Sequence, residues 1–224
     1  MPPSGDSSGN TVPDATVERL PLYHQALVEL GRAGETTVSS VRLAEMAGVN
    51  AAKVRKDLSF LGSYGTRGVG YDVDFLTAQV SRTLGLTGDS SVVIVGFGNL
   101  GQALAKYAGF ADRGFPVVAI VDADPGKVGT AVNEVAGVTV RHVDELAKIV
   151  RAENIAVGVI ATPADNAQAA ADALVGAGVQ SILSFAPVVL DIPEAIPWRK
   201  VDLATELQIL SFYQARSGTL QHPA

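Results

Sequence analysis

The chain has 224 residues, enough for one large or two small domains, and at 47% hydrophobic and 18% charged it can build a core. Its net charge of −6 gives no overall attraction to nucleic acid, and the absence of cysteine excludes disulfide and thiolate chemistry. No apolar run reaches the ~18 residues of a membrane span and no signal pattern opens the chain, so neither membrane nor metal is expected as a partner and a cytoplasmic location is.

Residues 1–13 form an expected disordered tail, rich in Ser, Gly, Pro and Asp. A helix is expected over 16–33, carried by Leu20, Leu22, Leu27 and Leu30, with Pro21 in its first turn and Gly31 and Gly34 ending it. Arg19 stands just ahead of the helix body.

Residues 37–61 carry a helix-turn-helix signature. Ser39 and Ser40 can cap a helix through Ala47, Gly48 makes the turn, and Asn50 can cap a second helix to Leu61. Val54, Leu58 and Leu61 recur at i, i+4 and i+7 and define the buried face of that helix. Lys53, Arg55 and Lys56 lie off this stripe. The glycine-rich stretch 62–71, with Arg67 at its middle, reads as the β-wing of a winged helix.

Between Ser39 and Tyr71 five cations face two acids, a local charge of +3 in an acidic chain. Such a focus supplies phosphate contacts and steering. The candidate DNA contacts are Ser39, Asn50, Ala51, Lys53, Arg55, Lys56 and Arg67. An ordinary solvated basic face is the plainer alternative.

A connecting helix is expected over 74–86, with Phe75, Val80 and Leu84 apolar, and 87–89 is a domain boundary. The winged-helix domain is thus assigned to 14–86. Residues 92–95 are a buried strand, followed by the dinucleotide fingerprint Gly96, Phe97, Gly98, Asn99, Leu100, Gly101. Gly96 suits the tight turn, Gly98 the approach of a pyrophosphate, and Gly101 the close packing of helix on strand. A helix over 102–107 and a strand over 117–121 follow, ending at Asp122, 21 residues after Gly101. There the dinucleotide fold places a carboxylate for the adenine ribose. A 2′-phosphate beside Asp122 meets like charge, and Ala123 and Asp124 offer it no arginine, so NADH and NAD⁺ are favoured over their phosphorylated forms.

The alternation continues with strands over 138–140, 156–161 and 181–184 and helices over 144–151 and 165–177. The fold class is therefore α/β, a winged helix-turn-helix followed by a doubly wound parallel Rossmann domain over 90–201. Loops at Thr162, Pro163 and at Phe185, Ala186, Pro187 follow strands whose ends face the ligand crevice, and either wall a nicotinamide ring or simply punctuate the chain. A last helix, 202–217, carries Leu203, Leu207 and Leu210 on one stripe with Phe212 beside it. Such a trailing helix docks on its own domain or on a partner.

A winged helix, a dinucleotide fold and a trailing helix in this order resemble the Rex family of redox-sensing transcriptional repressors. The resemblance runs from Arg19-Leu20-Pro21-Leu22-Tyr23 through Val49-Asn50-Ala51-Ala52-Lys53-Val54-Arg55-Lys56-Asp57-Leu58-Ser59 and Gly68-Val69-Gly70-Tyr71. It continues with the fingerprint, Ser184-Phe185-Ala186-Pro187 and Val201-Asp202-Leu203-Ala204-Thr205-Glu206-Leu207-Gln208. It implies a homodimer that holds double-stranded inverted-repeat operator DNA when NADH is scarce and releases it when NADH rises. It further implies a domain-swapped C-terminal helix with Phe212 in the partner's nicotinamide pocket. Tyr107, the partner's Asp202 and Arg19 would then form a redox relay.

An NAD-dependent dehydrogenase is the rival, since most such fingerprints accompany hydride transfer. Once some 85 residues are a winged helix, only about one nucleotide fold remains and no substrate domain. His24, His142 and His222 are poorly placed for catalysis, and Lys106 and Tyr107, adjacent on a helix, face different ways. No catalytic residue is assigned. A CoA-binding scaffold is a third reading, for which Asp122 at the ribose position is a poor fit.

Overall fold

The computed structural model describes residues 12–63, 65, 66, 68–132 and 137–219; residues 1–11 of the tail expected over 1–13, Arg67 and His222 lie outside the described residues. The chain divides into two compact units, residues 1–88 and 89–224.

The first unit opens with α1 (Asp14–Val17) and α2 (Leu20–Arg32), whose residues Leu20, Tyr23, Ala26, Leu27 and Leu30 repeat at helical spacing and are buried. β1 (Thr37–Val38) leads to α3 (Ser40–Ala47), where the Ser39 hydroxyl accepts the Arg42 N–H at 3.1 Å. Gly48 ends α3 in the left-handed region at φ 66°, and Asn50 Oδ1 then accepts the Ala52 N–H at 2.7 Å to open α4 (Ala51–Phe60). Cap, turn and cap make the two helices a helix-turn-helix, with Val54, Asp57 and Leu58 as the buried residues of α4.

The chain returns through a small hairpin, Thr66 and Gly70 exchanging backbone hydrogen bonds of 2.7 and 2.9 Å, into β2 (Tyr71–Asp72), antiparallel to β1. A Cβ at Gly70 would stand 2.3 Å from the Val38 carbonyl oxygen, so only glycine lets this wing lie on β1. Asp72 caps α5 (Val73–Thr83), which packs on α2 with Val73, Leu76 and Val80 buried. Phe75, one of the apolar residues of the expected connecting helix, is 59% exposed because it lies off the 73–76–80 stripe. This helix belongs to the core of the first unit.

The second unit contains β3 (Val92–Val95), α6 (Asn99–Ala105), α7 (Ala108–Ala111), β4 (Val117–Asp122), β5 (Val140–His142), α8 (Leu146–Ala152) and β6 (Val157–Ile160). It is completed by α9 (Ala164–Ala177), β7 (Ser181–Ser184), β8 (Trp198–Lys200) and α10 (Leu203–Thr219). The sheet order is β5-β4-β3-β6-β7-β8 and every neighbouring pair is parallel. This is the dinucleotide-binding order, in which the crossovers reverse between β3 and β6 and open a crevice at their C-terminal ends. Strands covered on both faces read as unbroken apolar runs. In β3, Val93 and Val95 join the core beneath α8 and α9, while Val92 and Ile94 join the core of the opposite face. A Cβ at Gly158 would stand 2.6 Å from the Leu174 side chain, so this glycine lets α9 sit close on β6.

Three expectations are corrected. The helix read through Tyr107 stops at Ala105, with Lys106 as its C-cap and Tyr107 in extended backbone ahead of α7, so those two residues do not share a helix. The strand expected over 138–140 pairs at 140–142, with Thr139 ahead of it in an isolated bridge to Ala131. β8 was unforeseen: three residues on a sheet edge, two of them charged and following Pro197, carry no alternation to read.

α10 keeps several large apolar side chains exposed in its own chain. Leu203, Leu207, Leu210, Phe212 and Tyr213 are 56–65% exposed.

Candidate functional site

The second unit holds a cleft of about 820 Å³ at the ends of β3, β4 and β6, lined among others by Gly96, Gly98, Asp122, Lys127, Thr162 and Pro163. The fingerprint glycines divide by what the fold itself requires. Gly96 has φ 103°, and a Cβ there would stand 2.8 Å from the Ala161 carbonyl oxygen. At Gly101 a Cβ would fall 1.9 Å from the Gly96 carbonyl oxygen. Both are imposed by the strand-turn-helix. Gly98 is different: nothing lies within 4 Å of a Cβ there, so the fold does not need it bare and a ligand approaching the backbone does. Gly98 is the N-cap of α6 and no side chain caps that helix, leaving the opening amides of Asn99 and Leu100 without intrahelical acceptors.

Asp122 is buried at the end of β4. Its Oδ2 accepts the Phe97 N–H at 2.6 Å and lies 3.0 Å from Lys127 Nζ, and its Oδ1 accepts the Asp124 N–H at 2.9 Å. Burial pushes the carboxyl pKa up, but the backbone donors and Lys127 outweigh it and hold the group below the usual carboxylate range. It is an anion with lone pairs left for a ribose hydroxyl. The Phe97 ring is in the core and its N–H is given to Asp122, which ties the turn to β4. Sequence reasoning missed Lys127, which stands five residues past the strand end.

Beyond β6, Thr162 Oγ1 is buried without a hydrogen-bond partner among the described residues. A buried hydroxyl left unpaired is costly unless a ligand completes it. With the bare Gly98, it fits the residues of this crevice to a bound dinucleotide. Pro163 is exposed at the cleft wall. Phe185 is half-buried against the core, Ala186 is buried with its N–H on Ser184 Oγ at 3.2 Å, and Pro187 is exposed. Tyr107 is half exposed and meets Phe110 edge-to-face at 5.2 Å. Phe212, on α10, meets Tyr213 edge-to-face at 5.6 Å and lies under the Arg216 guanidinium.

In the first unit Lys53, Arg55 and Lys56 project from α4 into solvent, as does Asn50 ahead of it. Arg55 Nη1 donates to Ser40 Oγ at 3.0 Å, which fixes it against α3. Ala51 is half-buried, and Ser39 is exposed with its hydroxyl engaged as a cap.

The residue that sequence reasoning passed over is Asp57. It is 1% exposed on the inner face of α4 and gathers four hydrogen bonds. Arg19 grips it with a two-point fork, Nε to Oδ2 and Nη2 to Oδ1, both 2.7 Å. Tyr23 donates to Oδ2 at 2.7 Å and Thr16 to Oδ1 at 2.9 Å. Burial pushes the Asp57 carboxyl up, yet Arg19, Tyr23 and Thr16 together hold it below the usual range. The pKa of Arg19 is raised by its hydrogen bond to Asp57, and that of Tyr23 first by burial and then by the same carboxylate. The signal was present, since an aspartate three residues after Val54 falls on the buried stripe.

Arg19 is held by Asp57, while Asp202 Oδ1 accepts the N–H of Ala204 at 3.1 Å and of Thr205 at 3.3 Å. Asp202 Oδ2 lies 3.5 Å from Lys200 Nζ. Among the described residues there is no cluster of three metal-ligating side chains and no helix long and apolar enough to cross a membrane.

Residues 11–59 match the family model described as "Putative DNA-binding protein N-terminus", and residues 87–188 match the "CoA binding domain". The curated protein "Redox-sensing transcriptional repressor Rex" of Streptomyces coelicolor is 60% identical over 92% of this chain and 79% of its own length. Its namesake from Desulfitobacterium hafniense is 48% identical over 90% of this chain and 94% of its own. Among solved structures, RSP, a Rex-family repressor, is 34% identical in its complex with NAD⁺ and operator DNA. That structure covers 94% of this chain and 96% of its own at a TM-score of 0.84. The same protein with NADH is 33% identical over 94% of this chain and 97% of its own, at a TM-score of 0.80. The chain belongs to the Rex family of redox-sensing transcriptional repressors, a family of regulators rather than of enzymes.

Proposed function

We propose that this chain is a cytoplasmic homodimeric repressor that holds an inverted-repeat operator while NADH is scarce and lets it go when NADH rises. The carrying observation is that one relative of the same fold over 94% of this chain has been solved both with NAD⁺ and operator DNA and with NADH. The bare Gly98, the unpaired Thr162 hydroxyl and the anionic Asp122 support a dinucleotide in the second unit. The solvent-facing Lys53, Arg55 and Lys56 beside the wing support DNA on the first. Domains over 14–86, 90–201 and 202–217 carry these parts.

The uncovered leucines of α10 support a second copy as the helix's dock, because a monomer would leave this stripe in water. In that exchanged position Phe212 reaches the partner's nicotinamide pocket, and Asp202 reaches Arg19 and Tyr107. Operator gel shifts at fixed total nucleotide and varied NADH/NAD⁺ ratio test the reading. Retention falls as the ratio rises; retention independent of the ratio overturns it.

The CoA-binding match over 87–188 favours a second reading, a CoA scaffold. Parallel titrations with NADH and CoA separate the two, and tighter binding of CoA would favour the scaffold.

A further inference from the structure

The chain leaves α4 for the wing by a sharp turn. Gly62 has φ 73°, and the N–H groups of Gly62 and Ser63 fold back onto the Ser59 and Leu58 carbonyls at 3.1 and 3.0 Å. Leu61, the C-cap of α4, is left with a carbonyl that no further turn of the helix can reach, and Ser63 is buried at 5% exposure. One side chain of α5 meets both groups. Gln79 donates through Nε2 to the Leu61 carbonyl and accepts the Ser63 hydroxyl on Oε1. A primary amide carries its donor and its acceptor on one rigid plane, so the pair fixes direction as well as distance. Val80, the next residue, lies in the core that α5 shares with α2, so Gln79 ties the turn to the body of the first unit.

Beyond this turn the wing has little to lean on. Gly65, Thr66, Gly68 and Val69 are exposed. A hollow of about 280 Å³ is lined on one side by Gly62, Ser63 and Thr66 and on the other by Phe75 and Leu76 of α5. The returning end is fixed where Gly70 lies on Val38 of β1, and the outgoing end is held by Gln79. We propose that Gln79 is a positioning residue for the wing, pinning its outgoing end so that wing and α4 reach DNA in one register. The proposal rests on the DNA binding argued above. An exposed hairpin containing Gly65, Gly68 and Gly70 has much freedom to give up on binding, and a pinned root leaves less to lose. Lys53 differs, because it stands in the first turn of α4, where the Asn50 cap and the helix itself set its place.

The test uses the full chain and a labelled duplex that the wild type has selected from a random pool. Its Kd is measured without NADH for wild type, Gln79→Leu, Lys53→Ala and Arg67→Ala, the last placed in the wing by sequence. Two double variants combine Gln79→Leu with each cation change, and Tm and NADH affinity are followed throughout. Gln79→Leu keeps the bulk and loses both hydrogen bonds, so DNA affinity falls about fivefold, in the range of coupling between residues that act together. NADH affinity is unchanged. Arg67→Ala weakens the wild type but adds little once Gln79 is replaced, whereas Lys53→Ala costs the same in either background. A merely structural glutamine would instead lower Tm and leave both cation effects additive, or diminish both alike, and either pattern overturns the proposal. Wild-type DNA affinity in Gln79→Leu also overturns it. So does an Arg67→Ala protein that binds as the wild type does, since the wing would then not meet the DNA. Should Gln79→Leu fail to fold, Ser63→Ala removes the wing-side half of the grip and takes its place in the same cycle. A wild type that selects no duplex would count against the proposed function instead.

Discussion

Lys127 Nζ lies 3.0 Å from Asp122 Oδ2, so the carboxylate that ends β4, proposed to meet the ribose, carries its own counter-cation. Exclusion of a 2′-phosphate by Asp122 is therefore offset, and the two side chains pull selectivity in opposite directions. Asp122→Asn keeps an acceptor for the Phe97 N–H and removes the charge. NADH affinity should fall about tenfold, the scale of a hydrogen bond to a charged group, while NADPH affinity rises because Lys127 then faces the phosphate unopposed. Lys127→Ala should widen the preference for NADH. Titration of both nucleotides against both variants checks this, and unchanged discrimination would move the ribose site elsewhere.

Gly98 and Gly101 should part company on substitution. Gly98→Ala meets no atom within 4 Å, so the apo protein keeps its Tm while NADH affinity drops, the new methyl standing where the pyrophosphate approaches. Gly101→Ala would drive a Cβ to 1.9 Å from the Gly96 carbonyl oxygen. It should lower stability by about 1–3 kcal/mol, the usual penalty of overpacking. Thermal melts with and without NADH distinguish the two.

Removing the charge of Lys53 or Lys56 should weaken operator binding and, where the side chain meets phosphate, reduce the log–log salt slope by about 0.9 each. Arg55 is expected to act more strongly, because Ser40 already holds it in place and less freedom is lost on binding. Arg67, in the wing, joins this set by sequence. Operator titrations across a salt series give the slopes, and four variants with the wild-type slope would place the DNA on another surface.

Local chemistry made much of this molecule legible. Ser39, Gly48 and Asn50 act through their immediate neighbours, so cap, turn and cap could be read from order alone. The fingerprint and the parallel strands were legible because each residue type answers a local need. Asp57 was not, because its meaning depends on Thr16, Arg19 and Tyr23 some 34 to 41 positions away. Tyr107 was misplaced on α6 because no proline or glycine marks the break after Ala105. The uncovered stripe of α10 was visible as a pattern, but a pattern alone does not say what lies against it.

The Asp57 carboxyl has a direct pH signature. Its folded pKa lies below the ordinary 3.8, so the unfolded chain binds this proton more readily than the folded one. The stabilisation is therefore fully present above that value and is lost as pH falls through the lower folded one. In acid, the Tm of the wild type should fall more steeply than that of Asp57→Asn. Carbon NMR of the Asp57 carboxyl gives the same answer directly, and titration at or above 3.8 would contradict it.

Asp202 offers the sharpest separation between a cap and a switch. In its own chain its Oδ1 accepts the Ala204 and Thr205 N–H groups, the geometry of a helix N-cap, and the Thr205 hydrogen bond leads the causes that hold its pKa down. Lys200, 3.5 Å away, is the only ion-pair partner seen for it among the described residues. Asn caps a helix about as well as Asp, so Asp202→Asn should fold, keep α10 and dimerise. What it cannot do is pair with Arg19 of a second copy. NADH and NAD⁺ differ by a positive charge on the ring, and a group that feels this charge in one conformation only is what shifts an equilibrium between two states. Operator binding by Asp202→Asn should therefore lose most of its NADH response, against allosteric couplings that typically span about 5–150-fold. Lys200→Met should act in the opposite sense, freeing Asp202 for Arg19 and releasing the operator at lower NADH. Gel shifts over an NADH series measure both. A wild-type response in Asp202→Asn would leave Phe212 and the shape of the pocket to drive closure, with charge playing no part.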